Sequence, residues 1–184
     1  MDTDPAARFV VISGCSGGGK STLIDELAKR GHAVVEEPGR RIIADEIVRG
    51  GAALPWVDLA AFAQRAIEVA LQDRKHAARR SGWVFFDRSL VDAVVALDHV
   101  SGERHAEPVC HAHRYHTRVF LTPPWPELFD NDADRRHDVG AAIEEYDRLR
   151  DAYPRLGYEV VLLPKIPVPA RADFVLDFLG AHAN

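Results

Sequence analysis

Cysteine is scarce in this chain of 184 residues, which contains only Cys15 and Cys110. Two cysteines cannot build the disulfide framework that stabilises small secreted domains, and Cys15 lies in a glycine-rich segment where a disulfide would obstruct a ligand. The N-terminal residues also lack the basic stretch and the apolar stretch of a secretory signal. We therefore expect a protein of the reducing cytoplasm.

Long apolar runs and an excess of positive charge are missing as well. Uninterrupted apolar runs are short, as at 160–163, and none approaches the ~20 residues that a membrane-spanning helix needs. The 23 Lys and Arg residues are outnumbered by 28 Asp and Glu residues, which leaves a formal net charge of −5. Because proteins that bind a phosphate backbone carry an excess of positive charge, the sequence predicts neither a membrane nor a nucleic acid as partner.

Length and composition are those of an ordinary folded domain. Apolar residues make up 47% of the chain and charged residues 28%, as in most soluble globular proteins. Domains of roughly 100–200 residues bury one core each, so we expect a single domain over 1–184.

Short β-branched or aromatic runs alternate along the chain with longer stretches of helical periodicity. Most of these runs are too continuously apolar to have one wet face, which is typical of a parallel sheet covered by helices on both sides. We therefore predict a three-layer α/β/α fold with a five-stranded parallel sheet. The predicted strands are 8–13, 33–36, 83–87, 116–121 and 158–163. Two helices are predicted at about 20–30 and about 57–80. A third is predicted before 154–157, with a core face made of Ile143, Tyr146, Leu149 and Tyr153, and a last one after the proline-rich segment 163–169.

The segment between the first strand and the first helix carries the most specific motif. Residues 14–21 satisfy the pattern GxxxxGK[ST] in the strand-to-helix context that the motif requires. Glycines let the backbone amides fold inward around phosphates, and the positive end of the new helix points at the same place. We therefore predict a nucleotide-binding P-loop. Its cofactor-binding residues are Gly14, Cys15, Ser16, Gly17, Gly18, Gly19, Lys20, Ser21 and Thr22.

The P-loop predicts a magnesium-bound nucleoside triphosphate, with ATP as the expected phosphoryl donor. Lys20 would reach the β- and γ-phosphates, Thr22 would assist at the α-phosphate, and the Ser21 hydroxyl would ligate Mg²⁺. Asp87 ends the third predicted strand, where most P-loop proteins place an acidic residue that holds Mg²⁺ through water. Asp87 could also be the N-cap of the next helix, and both roles can hold at once. The pattern does not separate ATP from GTP.

Two classes of nucleotide hydrolase lack support in the sequence. Arg88 follows Asp87, whereas motor and AAA-type ATPases usually carry a glutamate there to position the attacking water. The [NT]KxD motif that reads guanine is absent, and the one DxxG match, 177–180, falls in the last predicted helix. Neither efficient hydrolysis nor a signalling GTPase is expected.

The order of the motifs resembles the deoxynucleoside-kinase branch of P-loop kinases. Glu-Glu-Pro at 36–38 follows the second strand, Asp-Arg-Ser at 87–89 follows the third, and an arginine-bearing segment follows the fourth. The chain is more similar still to the AAA_28 group of predicted ATPases and kinases, which includes the NadR-type ribosylnicotinamide kinase domain. That similarity spans nearly the whole chain and includes 123–132, 134–136 and 156–165.

The resemblance implies a kinase that transfers the γ-phosphoryl of Mg-ATP to a hydroxyl of a small metabolite, a nucleoside or a nucleoside-like molecule. It implies Glu37 as the base for the acceptor hydroxyl, and strand alternation would turn Glu36 to the other face. Arg88 would act within the acidic-Arg-Ser motif, although Asp87 stands where deoxynucleoside kinases usually have glutamate. Arg135 and Arg136 would belong to a lid at about 125–140 that closes over the phosphates.

Other functions stay open on sequence grounds. One is an AAA_28-type ATPase or GTPase that acts as a nucleotide-dependent regulator with slow hydrolysis. Another is a binding module without turnover, which the intact Gly-Lys-Ser-Thr at 19–22 disfavours. Arg40 and Arg41 would either orient the acceptor or solvate a helix face. The acceptor and the oligomeric state are not indicated by the sequence.

A histidine-rich segment is the remaining cluster of chemistry-bearing side chains. It has neither the helical i,i+4 pairs nor the Cys-x₂-Cys spacing of a closed zinc site in a reliable context, so a structural or surface role is favoured over a metal site. The segment comprises His99, His105, Cys110, His111, His113 and His116.

Overall fold

The computed structural model of the chain describes residues 5–14, 16–125 and 139–180. Within these ranges the strands form one parallel sheet of five strands in the spatial order β2-β3-β1-β4-β5. The strands are β1 Phe9–Gly14, β2 Ala33–Val35, β3 Val84–Asp87, β4 Arg118–Thr122 and β5 Glu159–Leu162. The predicted five-stranded parallel sheet is confirmed, with strand ends that differ from the prediction by one or two residues.

Helices connect the strands in the described part of the chain. They are α1 Lys20–Lys29, α2 Pro38–Arg49, α3 Leu59–Ala77, α4 Leu90–Ser101, α5 Ala106–Ala112, α6 Val139–Arg155 and α7 Val168–Leu179, and a short 3₁₀ helix, Pro5–Arg8, precedes β1. None of these helices is both long enough and apolar enough to cross a bilayer.

The sheet has a hydrophobic core on each face, and successive residues of β1 alternate between them. Phe9 and Val11 belong to the core that α3, α4 and α6 cover, whereas Val10 and Ile12 belong to the core under α1 and α7. All four side chains are fully or almost fully buried. The three-layer α/β/α prediction is therefore confirmed, because only a strand covered on both faces reads as an unbroken apolar run.

Two helices differ locally from the sequence prediction. The Glu-Glu-Pro segment leads directly into α2, whose first residues are Pro38 and Gly39; proline suits the first turn of a helix because the amide that it lacks would have no helical partner there. The helix before 154–157 continues through Pro154 to Arg155. Ile143, expected on the buried face of that helix, is 39% exposed.

Candidate active site

Three central strands of the sheet end at the same edge, and each ends on a residue of the candidate site. Gly14 ends β1, Asp87 ends β3 and Thr122 ends β4. Gly14 pairs with Thr122 in the β1–β4 register, and Asp87 pairs with Ile12 in the β1–β3 register. Since open α/β sheets bind ligands beyond the carboxyl ends of their strands, this edge is the expected position of a ligand.

The two glycines that define the P-loop motif are required by space and by backbone conformation. Gly14 has a φ of +113°, and a Cβ there would lie 2.4 Å from the backbone oxygen of Thr122. Gly19 has a φ of +75°, and a Cβ there would lie 2.9 Å from Nη1 of Arg171. A side chain at Gly14 would therefore clash with the backbone of β4 and strain its own backbone, whereas one at Gly19 would strain the backbone and displace the end of the Arg171 side chain. Cys15 lies outside the described residues.

Lys20 begins α1 and lies under the loop rather than in solvent. Lys20 is only 6% exposed, and its Nζ donates a hydrogen bond of 3.2 Å to the carbonyl of Gly14. Burial, aided by the charge of Arg88, lowers the pKa of Lys20 to about 8. The charges of Asp87, Glu37 and Glu145 oppose this shift, and a triphosphate at this position would favour the charged ammonium further.

Ser21 and Asp87 form the pair that the sequence assigned to magnesium. The Ser21 hydroxyl donates a hydrogen bond of 3.0 Å to Oδ2 of Asp87, which is only 3% exposed. The other oxygen, Oδ1, is buried without a hydrogen-bond partner among the residues that the structure describes. Burial also raises the pKa of Asp87, and the charge of Lys20 opposes that shift. A hydroxyl beside an unpartnered carboxylate oxygen is a hard oxygen donor set that suits Mg²⁺.

The N-cap alternative for Asp87 is wrong, because Ser89 caps α4. The Ser89 hydroxyl accepts a hydrogen bond of 3.0 Å from the Val91 amide, and the Asp92 carboxylate accepts one of 2.9 Å from the Ser89 amide. This reciprocal arrangement is a capping box. The carboxylate of Asp87 is therefore left for the site.

The Thr22 hydroxyl points back to the residue that precedes its own helix. The residue is exposed, and its Oγ1 donates a hydrogen bond of 2.9 Å to the carbonyl of Gly19. Its expected contact with the α-phosphate stays a prediction.

Arg88 is held between acidic side chains in a backbone conformation unusual for arginine. Its φ is +66°, the one positive value in a residue other than glycine among those described. The guanidinium contacts both carboxylate oxygens of Glu145, at 2.7 and 3.1 Å, and its Nε lies 3.1 Å from Oε1 of Glu37. Burial disfavours the charge, but Glu145, Glu37 and Asp92 raise the pKa of Arg88 above its ordinary value. Strained residues that are held this firmly cluster at functional sites.

Glu37 is brought to this site, and Glu36 is not. The Glu37 carboxylate pairs with Arg88 and also lies 3.3 Å from Nε of Arg40. Glu36 instead lines a cavity of about 300 Å³ beside β2, together with Arg41 and Asp73. Arg41 forms an ion pair with Asp73 of α3, so it stabilises the helix packing rather than facing Glu37.

Sequence reasoning missed Asp92 and Glu145. Asp92 is buried and accepts hydrogen bonds from the hydroxyls of Ser89 and Tyr153, at 2.9 and 2.7 Å, and from that of Ser13. The Ser-x-x-Asp spacing of a capping box was a signal for Asp92. Glu145 lies on α6, 57 residues from Arg88, and no local pattern points to it. Although burial opposes ionisation, Arg88 lowers the pKa of Glu145.

We expect Asp92→Ala to lower the free energy of unfolding by about 3 kcal/mol, because the substitution leaves buried hydroxyls without an acceptor. Urea unfolding measures the change. Asp147→Ala, at a side chain that is 50% exposed on α6, is the matched control and should change stability by less than about 0.5 kcal/mol. Equal, small losses in both variants would show that the Asp92 network does not stabilise the site.

The side chains of the histidine-rich segment that the structure describes contact different partners. His105 contacts Asp98 and Glu103, and His116 accepts a hydrogen bond of 3.1 Å from the Arg118 amide. Cys110 is buried, which raises its pKa to about 12. Across the described ranges, no three His, Cys, Asp or Glu side chains are grouped as metal ligands.

The remaining predicted site residues, Arg135 and Arg136, lie outside the described residues, as does most of the lid candidate at about 125–140. Their roles stay predictions.

Comparisons with known proteins agree with this fold and this P-loop. A nucleotide-binding protein of Granulibacter bethesdensis is 30% identical over 112 residues, which are 59% of this chain and 34% of that protein. This chain thus spans about a third of the length of that curated relative.

Solved structures of kinases share the fold at low sequence identity. The NadR protein in complex with NR has a TM-score of 0.74 and 18% identity, over 97% of this chain and 53% of that one. Thymidylate kinase of Ehrlichia chaffeensis has a TM-score of 0.60 and 15% identity, over 96% and 100%. Deoxyadenosine kinase of M. mycoides with bound dATP has a TM-score of 0.57 and 15% identity, over 94% and 99%.

The AAA_28 family, described as an AAA domain, matches residues 9–171. That range includes the whole P-loop and the strand ends that carry Asp87 and Thr122. The chain belongs to the AAA_28 family.

Proposed function

We propose that this protein is an ATP-dependent phosphotransferase that transfers the γ-phosphoryl group to a hydroxyl of a small metabolite, a nucleoside or nucleoside-like molecule. The observation that carries the proposal is the position of Glu37, which pairs with the half-buried Arg88 next to Asp87 and the P-loop. Arg88 occupies the place where hydrolytic relatives usually carry a water-positioning glutamate. A carboxylate outside the P-loop that an arginine holds in place is suited to take up the proton of an acceptor hydroxyl.

Magnesium fits the residues present. Ser21 Oγ and the unpartnered Oδ1 of Asp87 would hold the ion, Asp87 partly through water. When bound, Mg²⁺ would neutralise the negative charge that develops on the phosphates during transfer.

The residues of this chain would divide the remaining work. The P-loop amides and Lys20 bind the phosphates and hold the γ-phosphorus in line with the acceptor. Glu37 takes the proton of the acceptor hydroxyl as the new O–P bond forms and the bond between the γ-phosphorus and the leaving ADP oxygen breaks. Arg88, held by Glu145, keeps the Glu37 carboxylate in place.

Arg135 and Arg136 complete the proposal as lid residues. An arginine that a lid brings to the transferring phosphoryl group contributes about 10³–10⁵ in rate in related reactions. Their assignment rests on the resemblance of the segment after β4 to kinase lids. We also propose one domain over 1–184 and a cytoplasmic location, which rest on length and composition.

The identity of the acceptor is supported only by analogy. The structures with the same fold are of enzymes named for deoxyadenosine and thymidylate, and of a NadR protein in complex with NR. A nucleoside or a nucleoside-like molecule is therefore the first class to test.

The test is ADP release from Mg-ATP, measured without an acceptor and with a panel of nucleosides, ribosylnicotinamide and simple sugars. A kinase releases ADP at a rate that depends on one class of acceptor, and the phosphorylated acceptor accumulates in equal amount. Release that is equally fast without any acceptor would overturn the proposal. It would favour a second function, a nucleotide-dependent regulator with slow hydrolysis, which membership in the AAA_28 family also supports.

A further inference from the structure

Arg171 is a buried cation that the P-loop motif does not include. It lies in the first turn of α7, is only 4% exposed, and directs Nη1 to within 3.4 Å of the carbonyl oxygens of Gly18 and Gly19. No carboxylate of the described residues pairs with it, and its Nε has no hydrogen-bond partner among them. Burial without such a partner lowers the pKa of Arg171.

Arg171 contacts two peptide groups of the loop, and the second of them, the Gly19 carbonyl, also accepts hydrogen bonds from the Thr22 hydroxyl at 2.9 Å and the Leu23 amide at 3.3 Å. In a trans peptide the C=O and the following N–H point in opposite directions. Because the carbonyls of Gly18 and Gly19 face Arg171, the amides of Gly19 and Lys20 face the other side of the loop. Successive amides that point into one concavity form an anion-binding nest.

The surroundings fix the guanidinium against the loop. The centre of the Trp125 ring lies 5.5 Å from Cζ of Arg171, a distance at which a cation is attracted to an aromatic face. Two contacts of Arg30 at the end of α1 hold α7 in place, one of 2.6 Å to Asp173 and one of 3.0 Å to the Pro169 carbonyl. Gly19, which has no Cβ, permits the close approach.

Burying a cation without a carboxylate costs free energy, and even a buried ion pair can often be replaced by apolar side chains of similar volume without loss of stability. Packing alone therefore does not account for an arginine at position 171. The same charge is favourable once a polyphosphate occupies the loop, because the anion compensates it across the two peptide groups.

We propose that Arg171 is a positioning residue of the nucleotide site: it holds the Gly18 carbonyl, and together with the first turn of α1 the Gly19 carbonyl, away from the ligand, so that the following amides face the phosphates, and it adds positive charge behind them. This role rests on the proposed binding of a nucleotide. It concerns binding of the phosphates rather than the acceptor, so it applies to a kinase and to a slow hydrolase alike.

The experiment compares wild type, Arg171→Met and Arg171→Lys. Calorimetry gives the Kd of Mg-ADP, and urea unfolding gives the stability without nucleotide. We expect Arg171→Met to raise the Kd about tenfold or more, since bonds to a charged group are lost, while stability stays equal or increases. Arg171→Lys keeps the charge but can reach fewer carbonyls, and should raise the Kd by about threefold. Arg155→Met, at an exposed arginine of α6, is the matched control and should leave both quantities unchanged.

Wild-type affinity in Arg171→Met would overturn this role, and so would a loss of affinity accompanied by an equal loss of stability. If the methionine variant does not fold, wild-type affinity in Arg171→Lys decides against the role in the same way. Absence of Mg-ADP binding by the wild type is a different result, because it would overturn the proposed function and the role of Arg171 with it.

Discussion

Glu37→Gln is expected to lower acceptor-dependent phosphoryl transfer by about 10²–10⁴-fold, the usual contribution of a general base. Glutamine has the same shape and can still place its amide oxygen beside the Arg88 guanidinium, but it cannot take up the acceptor proton. The affinity for Mg-ADP should stay near the wild-type value, because Glu37 lies outside the P-loop. Initial rates of ADP release with the best acceptor, and calorimetry with Mg-ADP, measure the two quantities.

Glu36→Gln is the control for this variant. It removes the same charge one residue earlier, at a side chain that lines the cavity beside β2 rather than facing Arg88. Its transfer rate should match the wild type. Equal rates in both variants would remove Glu37 from the role of base, and a large loss in Glu36→Gln alone would assign that role to the neighbouring residue.

Asp87→Asn is expected to cause the second large loss, in turnover and in the response to magnesium. The substitution keeps the size of the side chain, but an amide is a much weaker ligand for a hard cation than a carboxylate. A bound metal ion stabilises the charge that develops in the transition state, and this lowers the activation free energy by several kcal/mol. Turnover should therefore fall by about 10²-fold or more. The Mg²⁺ concentration that gives half-maximal rate at fixed ATP should rise.

Asp25→Asn supplies the matched control, because Asp25 is exposed on α1, the helix that carries Ser21. A magnesium titration of this variant should overlay that of the wild type. If the Asp87→Asn titration also overlays it, Asp87 is not part of the metal site. Unfolding of each variant, measured in parallel, separates a loss of folded protein from a loss of metal.

The strands and the P-loop could be predicted because their causes are local. A strand buried on both faces must be apolar throughout, and β1 shows this in its alternation between two cores. Both motif glycines have a positive φ, and at Gly14 the backbone of Thr122 also leaves no room for a side chain. The position of Asp87 beside the P-loop could be predicted because Asp87 ends an apolar run, and parallel strands bring their carboxyl ends to one edge of the sheet.

The partners of these residues could not be predicted, because they come from distant parts of the chain. Glu145 reaches Arg88 from α6, and Arg171 reaches Gly18 from α7, 153 residues away. No spacing in the sequence relates such pairs; they meet because helices pack on the two faces of the sheet. The N-cap of α4 could not be predicted for a different reason, since Asp87 and Ser89 are both good caps and only the backbone decides between them.

The central claim is that the loop after β1, with Lys20 below it, binds a magnesium-bound nucleoside triphosphate. Titration calorimetry of pure, folded protein with Mg-ATP, and in parallel with Mg-GTP, tests it most directly. The account predicts saturable binding of one nucleotide per chain and its loss in Lys20→Ala. No heat of binding with either nucleotide up to millimolar concentration would contradict it.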